Sequence, residues 1–363
     1  MRMHTFRAMN TDLLFAVEEC LPLPFGAAHV PVHPHDRLSA SRPAQADQRA
    51  PGVEVQPRAS LLELAYPASP VTALFEEVEN MVRAYEQQFT RFSEDSELSA
   101  LNRAAGGWFA ASPEMLEVVR LALDMHRASG GLFNPAVLPS LEAAGYDRSM
   151  DELRSNGSQA FPAPRSFQRV FGRPDFGHVQ INERLEAIRL PDGMRIDLGG
   201  IAKGWIGQRA AERLARAGGA ALVDAGGDLF ACGLPAGARS WTIAVEDPFN
   251  PQQNAAVIEI QPGAVATSTT LRRRWKQHGQ VRHHLIDPAT GAPTDSLWAS
   301  VTAVVPASAA GNEGARAEVL AKAMLIGGPI QAAAMLERFP GAYFIAIDQN
   351  GKAWESANMP VFA

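Results

Sequence analysis

Asp197-Leu198-Gly199-Gly200-Ile201-Ala202-Lys203-Gly204-Trp205 joins a short apolar run to a long helical pattern. Two adjacent glycines end the run and a helix begins at once. Glycines let backbone N–H groups approach a ligand, and a helix N-terminus favours anions. Lys203 adds a positive charge where a phosphate could sit. The alternative is a strand-to-helix turn that needs two glycines for its geometry alone. Spacing and order match neither a P-loop nor the G-x-G-x-x-G turn of a dinucleotide-binding βαβ unit. A dehydrogenase built on these glycines is therefore disfavoured.

The segments around the loop decide the class. Strands near His178–Ile181 and Ala187–Leu190 precede it, and a helix follows from Lys203 to Ala217. Then come a strand over Ala221–Val223, a glycine turn at Ala225-Gly226-Gly227-Asp228, and strands around Leu229–Cys232, Trp241–Val245 and Ala256–Ile260. Ala299–Val305 and Tyr343–Asp348 read as later strands, with helices over Ala315–Ile326 and Pro329–Arg338 between them. Near the start, Thr11–Val17 reads as the first strand. Over Pro70–Arg91, Leu74, Val78, Met81, Val82, Tyr85 and Phe89 share one helical stripe, with Glu76, Glu77 and Glu86 elsewhere on the surface. Ser112 is the expected N-cap of a helix that stops at Gly130-Gly131. Frequent hairpins interrupted by helices predict one α+β domain over 1–363, mostly antiparallel sheet with packed helices.

Two stretches break the pattern. Residues 21–60 are rich in Pro, Ala, His, Gln and Arg and have no period, which predicts a mobile N-terminal insertion. Its His29, His33 and His35 suggest a metal tract, but a flexible proline-rich loop is the preferred reading. Residues 150–175 also read as irregular.

Of 363 residues, 46% are hydrophobic and 20% charged, enough for a sizeable core and inconsistent with disorder of the whole chain. A net charge of −6 gives no footprint for nucleic acid. Cys20 and Cys232 form neither a CxxC nor a zinc spacing. Glu18-Glu19 precede Cys20, so no apolar leader segment precedes that cysteine. No uncharged apolar stretch reaches the roughly 18 residues of a transmembrane helix. The expectation is a soluble, cytoplasmic protein without a membrane segment.

Four further constellations could carry chemistry. Asp224-Ala225-Gly226-Gly227-Asp228 bends between two strands, and a hairpin turn with a capping aspartate is the preferred reading of it from local sequence. Thr267-Ser268-Thr269-Thr270 followed by Arg272-Arg273-Arg274 suits phosphate, or else an N-capped helix with a solvated basic face. His283-His284-Leu285-Ile286-Asp287-Pro288 places a histidine beside a rigid turn, where it could be a general base or merely structural. Glu318 and Lys322 stand four residues apart on a mostly apolar helix. On a surface they would be an ordinary ion pair, but inside a core each needs a partner.

Each constellation is ambiguous alone, but together their order resembles that of the ApbE-type FAD:protein FMN transferases. The resemblance opens at Ala8-Met9-Asn10-Thr11, similar to the family's Met-Gly-Thr. It continues from Phe89 through Asn102 and over Gly130-Gly131-Leu132-Phe133-Asn134-Pro135, where aspartate is usual in place of Asn134. The Asp197–Gly204 loop, the Asp224–Asp228 turn, Trp241 to Pro248, Ala264–Ser268, His283–Pro288 and Ala317–Met324 follow in the same order. Residues 21–60 and 150–175 lie outside these matches.

That resemblance implies an ApbE-like fold and an enzyme whose substrate is FAD. Such enzymes cleave the pyrophosphate and transfer FMN to a Thr or Ser hydroxyl of a target flavoprotein, releasing AMP. By position, Met9, Phe92, Leu132, Phe133 and Asn134 are expected at the flavin, and Asp197, Lys203 and Leu285 at the rest of the dinucleotide. His284 is the expected base, with His283 the nearby alternative. Magnesium is expected from the family pattern, held by Asp and Thr of the C-terminal helix and a backbone carbonyl near Gly200. Here Glu318 stands where Asp is usual and Lys322 where Thr is usual. Glutamate can bind magnesium. Lysine cannot, and its ammonium would neutralise Glu318 and could replace the metal. A non-catalytic FAD-binding module and an FAD pyrophosphatase giving FMN and AMP are the alternative readings.

Overall fold

The computed structural model describes residues 1–18, 70–155, 175–277 and 279–360. The expected insertion at 21–60, with its three histidines, and most of the stretch at 150–175 lie outside these residues.

The chain opens with a hairpin of β1 (Arg2–Ala8) and β2 (Thr11–Val17), whose turn holds Met9 and Asn10 at φ of 53° and 56°. Helices α1 (Pro70–Phe89), α2 (Glu97–Arg103) and α3 (Pro113–Ala128) follow, with β3 (Trp108–Ala110) between the last two. Short helices α4 (Leu138–Ala143) and α5 (Met150–Ser155) come next. Strands β4 (Gln180–Asn182) and β5 (Ala187–Arg189) join β3 in a small sheet. After the glycine loop come α6 (Ala202–Gly218), β6 (Ala221–Ala225) and β7 (Leu229–Cys232). Strands β8 (Trp241–Glu246) and β9 (Asn254–Ile260) form a hairpin, and β10 (Gly263–Thr269) returns to the main sheet. Two small hairpins pair β11 (Arg274–Gln277) with β12 (Gln280–His283) and β13 (Ile286–Asp287) with β14 (Ala292–Pro293). The chain ends through β15 (Trp298–Pro306), α7 (Glu313–Leu336), β16 (Tyr343–Asp348) and β17 (Ala353–Glu355).

The main sheet has eight strands in the order β1-β2-β6-β7-β10-β15-β16-β17, and the pairs within it are antiparallel. The α+β expectation therefore holds. Alternation along the central strands feeds two cores, because successive side chains point to opposite faces. Ala264, Ala266, Val301, Ala303, Phe344 and Ala346 face the helices, while Val265, Val304, Tyr343 and Ile345 face the β8–β9 hairpin.

Several local expectations change. A 3₁₀ turn over Phe176–His178, capped by Asp175, occupies the start of the strand expected near His178. The basic run at Leu271–Lys276 leads into strand β11, not a capped helix. The two helices expected after Ala315 do form: within α7 they are divided at Gly328, whose φ of 72° and ψ of −171° are not helical, just before Pro329. By length and composition α7 could cross a membrane. It instead packs on β10, β15 and α6, with most of its first half buried in the core.

The contact between α6 and α7 is unusually close. A Cβ added at Gly204 would run into the Gly314 carbonyl, and one added at Gly314 would run into the Gly204 carbonyl. Backbone meets backbone, so neither neighbour is a side chain that can swing away. Gly204→Ala should cost about 1–3 kcal/mol by forcing the helices apart. Urea denaturation checks this, and a variant as stable as the parent would contradict the packing.

Candidate active site

The glycine loop is held from both ends. The Asp197 N–H donates to Pro135 O at 2.9 Å, and the Asp197 side chain accepts from the Gly199 N–H at 2.9 Å. Arg91 Nε lies 3.6 Å from Asp197 Oδ2. At the other end α6 begins at Ala202 behind Ile201, which has no polar side chain to cap it. Glu318 supplies the cap from α7, with Oε2 accepting from the Gly204 N–H at 2.8 Å. Such a carboxylate satisfies one of the orphan donors of a helix start.

Two cavities meet at this loop. The first, about 1160 Å³ including space open to solvent, is lined by Met9, Phe92, Leu132, Phe133, Asn134, Asp197, Gly200, Lys203, His284, Leu285 and Lys322. One end is apolar and aromatic. There the Arg91 guanidinium stacks over Phe92 at 4.2 Å and over Tyr146 at 4.8 Å. Met9, on the β1–β2 turn, donates its N–H to Glu86 Oε1 at 2.6 Å, so Glu86 is a turn anchor and not the free surface group its position suggests. Asn134 turns inward on its own backbone, accepting from the Ala136 N–H at 3.0 Å. The second cavity, about 1530 Å³, reaches Asp224, Asp228, Thr267 and Glu318. Gly199, Lys203, Arg273, His284 and Lys322 belong to both.

Of the residues to which the family resemblance gives a role, only His283 lines neither cavity and only Glu318 lines the second alone. His283 is tied to the backbone. Its Nδ1 accepts from the Leu285 N–H at 3.3 Å, which leaves Nε2–H to donate to Thr294 O at 3.1 Å. His284 differs: its Nδ1 is buried without a hydrogen-bond partner. Burial first, then the nearby Arg273 and Lys322 charges, push the His284 pKa well below the usual histidine value. Its imidazole is therefore neutral near pH 7.

The charged groups are unevenly matched. Lys203 pairs closely with Asp228, whose Oδ1 also accepts from the Thr267 N–H at 2.8 Å. Asp224 accepts from the Gly227 N–H at 2.7 Å, yet burial dominates and raises its pKa. The ion pair expected between Glu318 and Lys322 does not form, because Glu318 is turned to the α6 N-terminus. Burial raises the Glu318 pKa and lowers that of Lys322. Lys322 Nζ instead lies against Gly200, where a Cβ would collide with it and would meet Phe133 at 3.3 Å. Gly200 is outside the left-handed region, so what glycine supplies there is space for the ammonium and not backbone freedom.

These residues do not suit magnesium. That ion prefers octahedral oxygen ligation with one or two carboxylates. Glu318 already serves the Gly204 N–H, and an ammonium stands beside Gly200.

Sequence reasoning did not assign Arg91, Glu86, Tyr146 or Arg273 to the site. Arg91 lies inside the Phe89–Asn102 motif and Arg273 inside the basic run, so their signals were present but unspecific.

Comparison with known proteins agrees with the fold. The ApbE family model matches residues 53–345. An FAD:protein FMN transferase of Treponema pallidum (strain Nichols) is 32% identical over 308 residues, covering 79% of this chain and 81% of its own. Another from Vibrio cholerae is 27% identical over 292 residues, covering 79% and 83% respectively. A crystal structure of an ApbE protein from Thermotoga maritima superposes with a TM-score of 0.74 at 21% identity, covering 98% of this chain and 97% of that one.

The neutral His284 has a consequence for stability. Its folded pKa lies below the unfolded value of about 6.5, so the unfolded chain binds more protons between the two. The stability tied to keeping it neutral is complete above about pH 6.5 and is lost as pH falls through that window. His284→Gln should flatten the decline in Tm between about pH 7 and 5. Parallel declines in variant and parent would exclude this assignment.

Proposed function

The chain belongs to the ApbE family, and on that premise we propose that it is an FAD:protein FMN transferase. Its substrate is FAD, its acceptor a Thr or Ser hydroxyl of a target flavoprotein, and its leaving group AMP. The observation that carries this reading is the shared wall of the two cavities, where Lys203, Arg273, His284 and Lys322 converge beside the glycine loop. A dinucleotide needs an apolar end for its ring system and cations at its pyrophosphate, and the cleft has both.

In this reading Met9, Phe92 and the Leu132-Phe133-Asn134 segment hold the isoalloxazine. Asp197 shapes the glycine loop, and Lys203 and Leu285 hold the remainder of FAD. The acceptor oxygen bonds to the FMN-side phosphorus, and the bond from that phosphorus to the AMP phosphate breaks. His284 takes the hydroxyl proton, and AMP departs with the bonding pair. His284 suits this role better than His283, because a base must be neutral and His283 has both ring nitrogens engaged with backbone. The phosphates of a bound substrate offset the cations that hold His284 at low basicity, so the base strengthens once the substrate is in place. No step is assigned to magnesium, given the poor fit of the residues around Gly200 and Glu318.

Incubation with FAD and a flavoprotein domain bearing an acceptor Thr or Ser, read by mass spectrometry, tests the proposal. The expected result is one FMN phosphoester on the acceptor for each AMP released. Free FMN with AMP would instead make the chain a pyrophosphatase, and tightly bound intact FAD would make it a binding module. His284→Ala should lower the transfer rate by about 10²–10⁴-fold while leaving FAD bound. An unchanged rate would remove His284 from its role.

A further inference from the structure

Two cations at the cavity junction have no carboxylate of their own. Among the described residues, neither Lys322 nor Arg273 has an acidic side chain within the 4.0 Å of an ion pair, whereas neighbouring Lys203 is paired with Asp228 and Arg272 with Glu246. Lys322 is deeply set and reached by solvent through the cavities it lines. Glu318 and Asp197 favour its charge from a distance, but burial outweighs them, and an ammonium in such a place regains what it loses in hydration only when an anion arrives at contact. The position is also built. Gly200 leaves room for the ammonium in its present position, which a side chain at 200 would displace, and the Gly204–Gly314 contact fixes the height of α7 against the loop.

We infer that Lys322, with Arg273 beside it, is a permanent counter-charge for the pyrophosphate of FAD and takes the place of a divalent ion. This rests on the transferase reading and deepens it. Burial disfavours the Lys322 charge in the free protein, and the same burial strengthens its attraction once the phosphates enter. The two cations also differ in kind. Lys322 is a point charge with three donors, and Arg273 is a planar fork that can engage two phosphate oxygens at once.

The test is calorimetric titration of FAD into the EDTA-treated full chain, in EDTA and again in excess magnesium, with AMP release measured in both buffers after addition of the flavoprotein domain that carries the acceptor Thr or Ser. The parent should bind FAD and release AMP alike in the two. Lys322→Met should bind about tenfold or more weakly in EDTA. Gly200→Ala, which keeps the lysine but displaces it, should do the same, and thermal melts establish that each variant folds. Parent binding or AMP release that needs magnesium would overturn the inference while leaving the transferase reading intact. So would a folded Lys322→Met that binds as the parent does. If the parent bound no FAD in either buffer, the transferase reading itself would fall, and this inference with it.

Discussion

The site depends on the touching backbones of α6 and α7 at Gly204 and Gly314. Packed helices usually lie about 8–10 Å apart because side chains separate them. With glycine on both sides that spacer is gone. One turn beyond Gly314 along α7, Glu318 reaches the Gly204 N–H and caps a helix that Ile201 cannot cap. One turn further, Lys322 arrives over Gly200. A single steric allowance thus sets the loop, the start of α6 and the deep cation in one frame.

Electrostatics completes what packing begins. The polar residues at the junction are not arranged to neutralise one another: Lys203 and Asp228 close on each other, but Glu318 is drawn to a backbone amide and Lys322 is left facing the cleft. His284 stays uncharged in the company of these cations. An apolar aromatic end and a cationic middle make the cleft directional, so a dinucleotide fits it in one orientation better than in the other.

Much of this was legible in the sequence. The stripe on α1 buries Leu74, Val78, Val82 and Phe89 as its period requires, Ser112 caps α3, and α7 kinks at the glycine before Pro329. The collinear motifs brought nearly every singled-out residue to one cleft. β1 was missed because it is an edge strand whose exposed, mixed residues carry little apolar signal. The second core under β8 and β9 was invisible because alternation shows two faces without showing what covers them. The i,i+4 spacing of Glu318 and Lys322 predicted a pair, but Glu318 had a better partner on another helix. Arg273 could not be told from Arg272 and Arg274 by type. Only the fold shows that Arg272 meets Glu246 while Arg273 faces the cavities.

The fit of Lys322 against Gly200 also constrains how such a chain can have changed over time. A β-carbon at 200 would push the flexible end of Lys322 from where it now rests, so the two positions are coupled although they lie far apart in sequence. While the ammonium keeps this position, residue 200 has no room for a side chain. Substitutions at either position therefore have effects set by what the other holds.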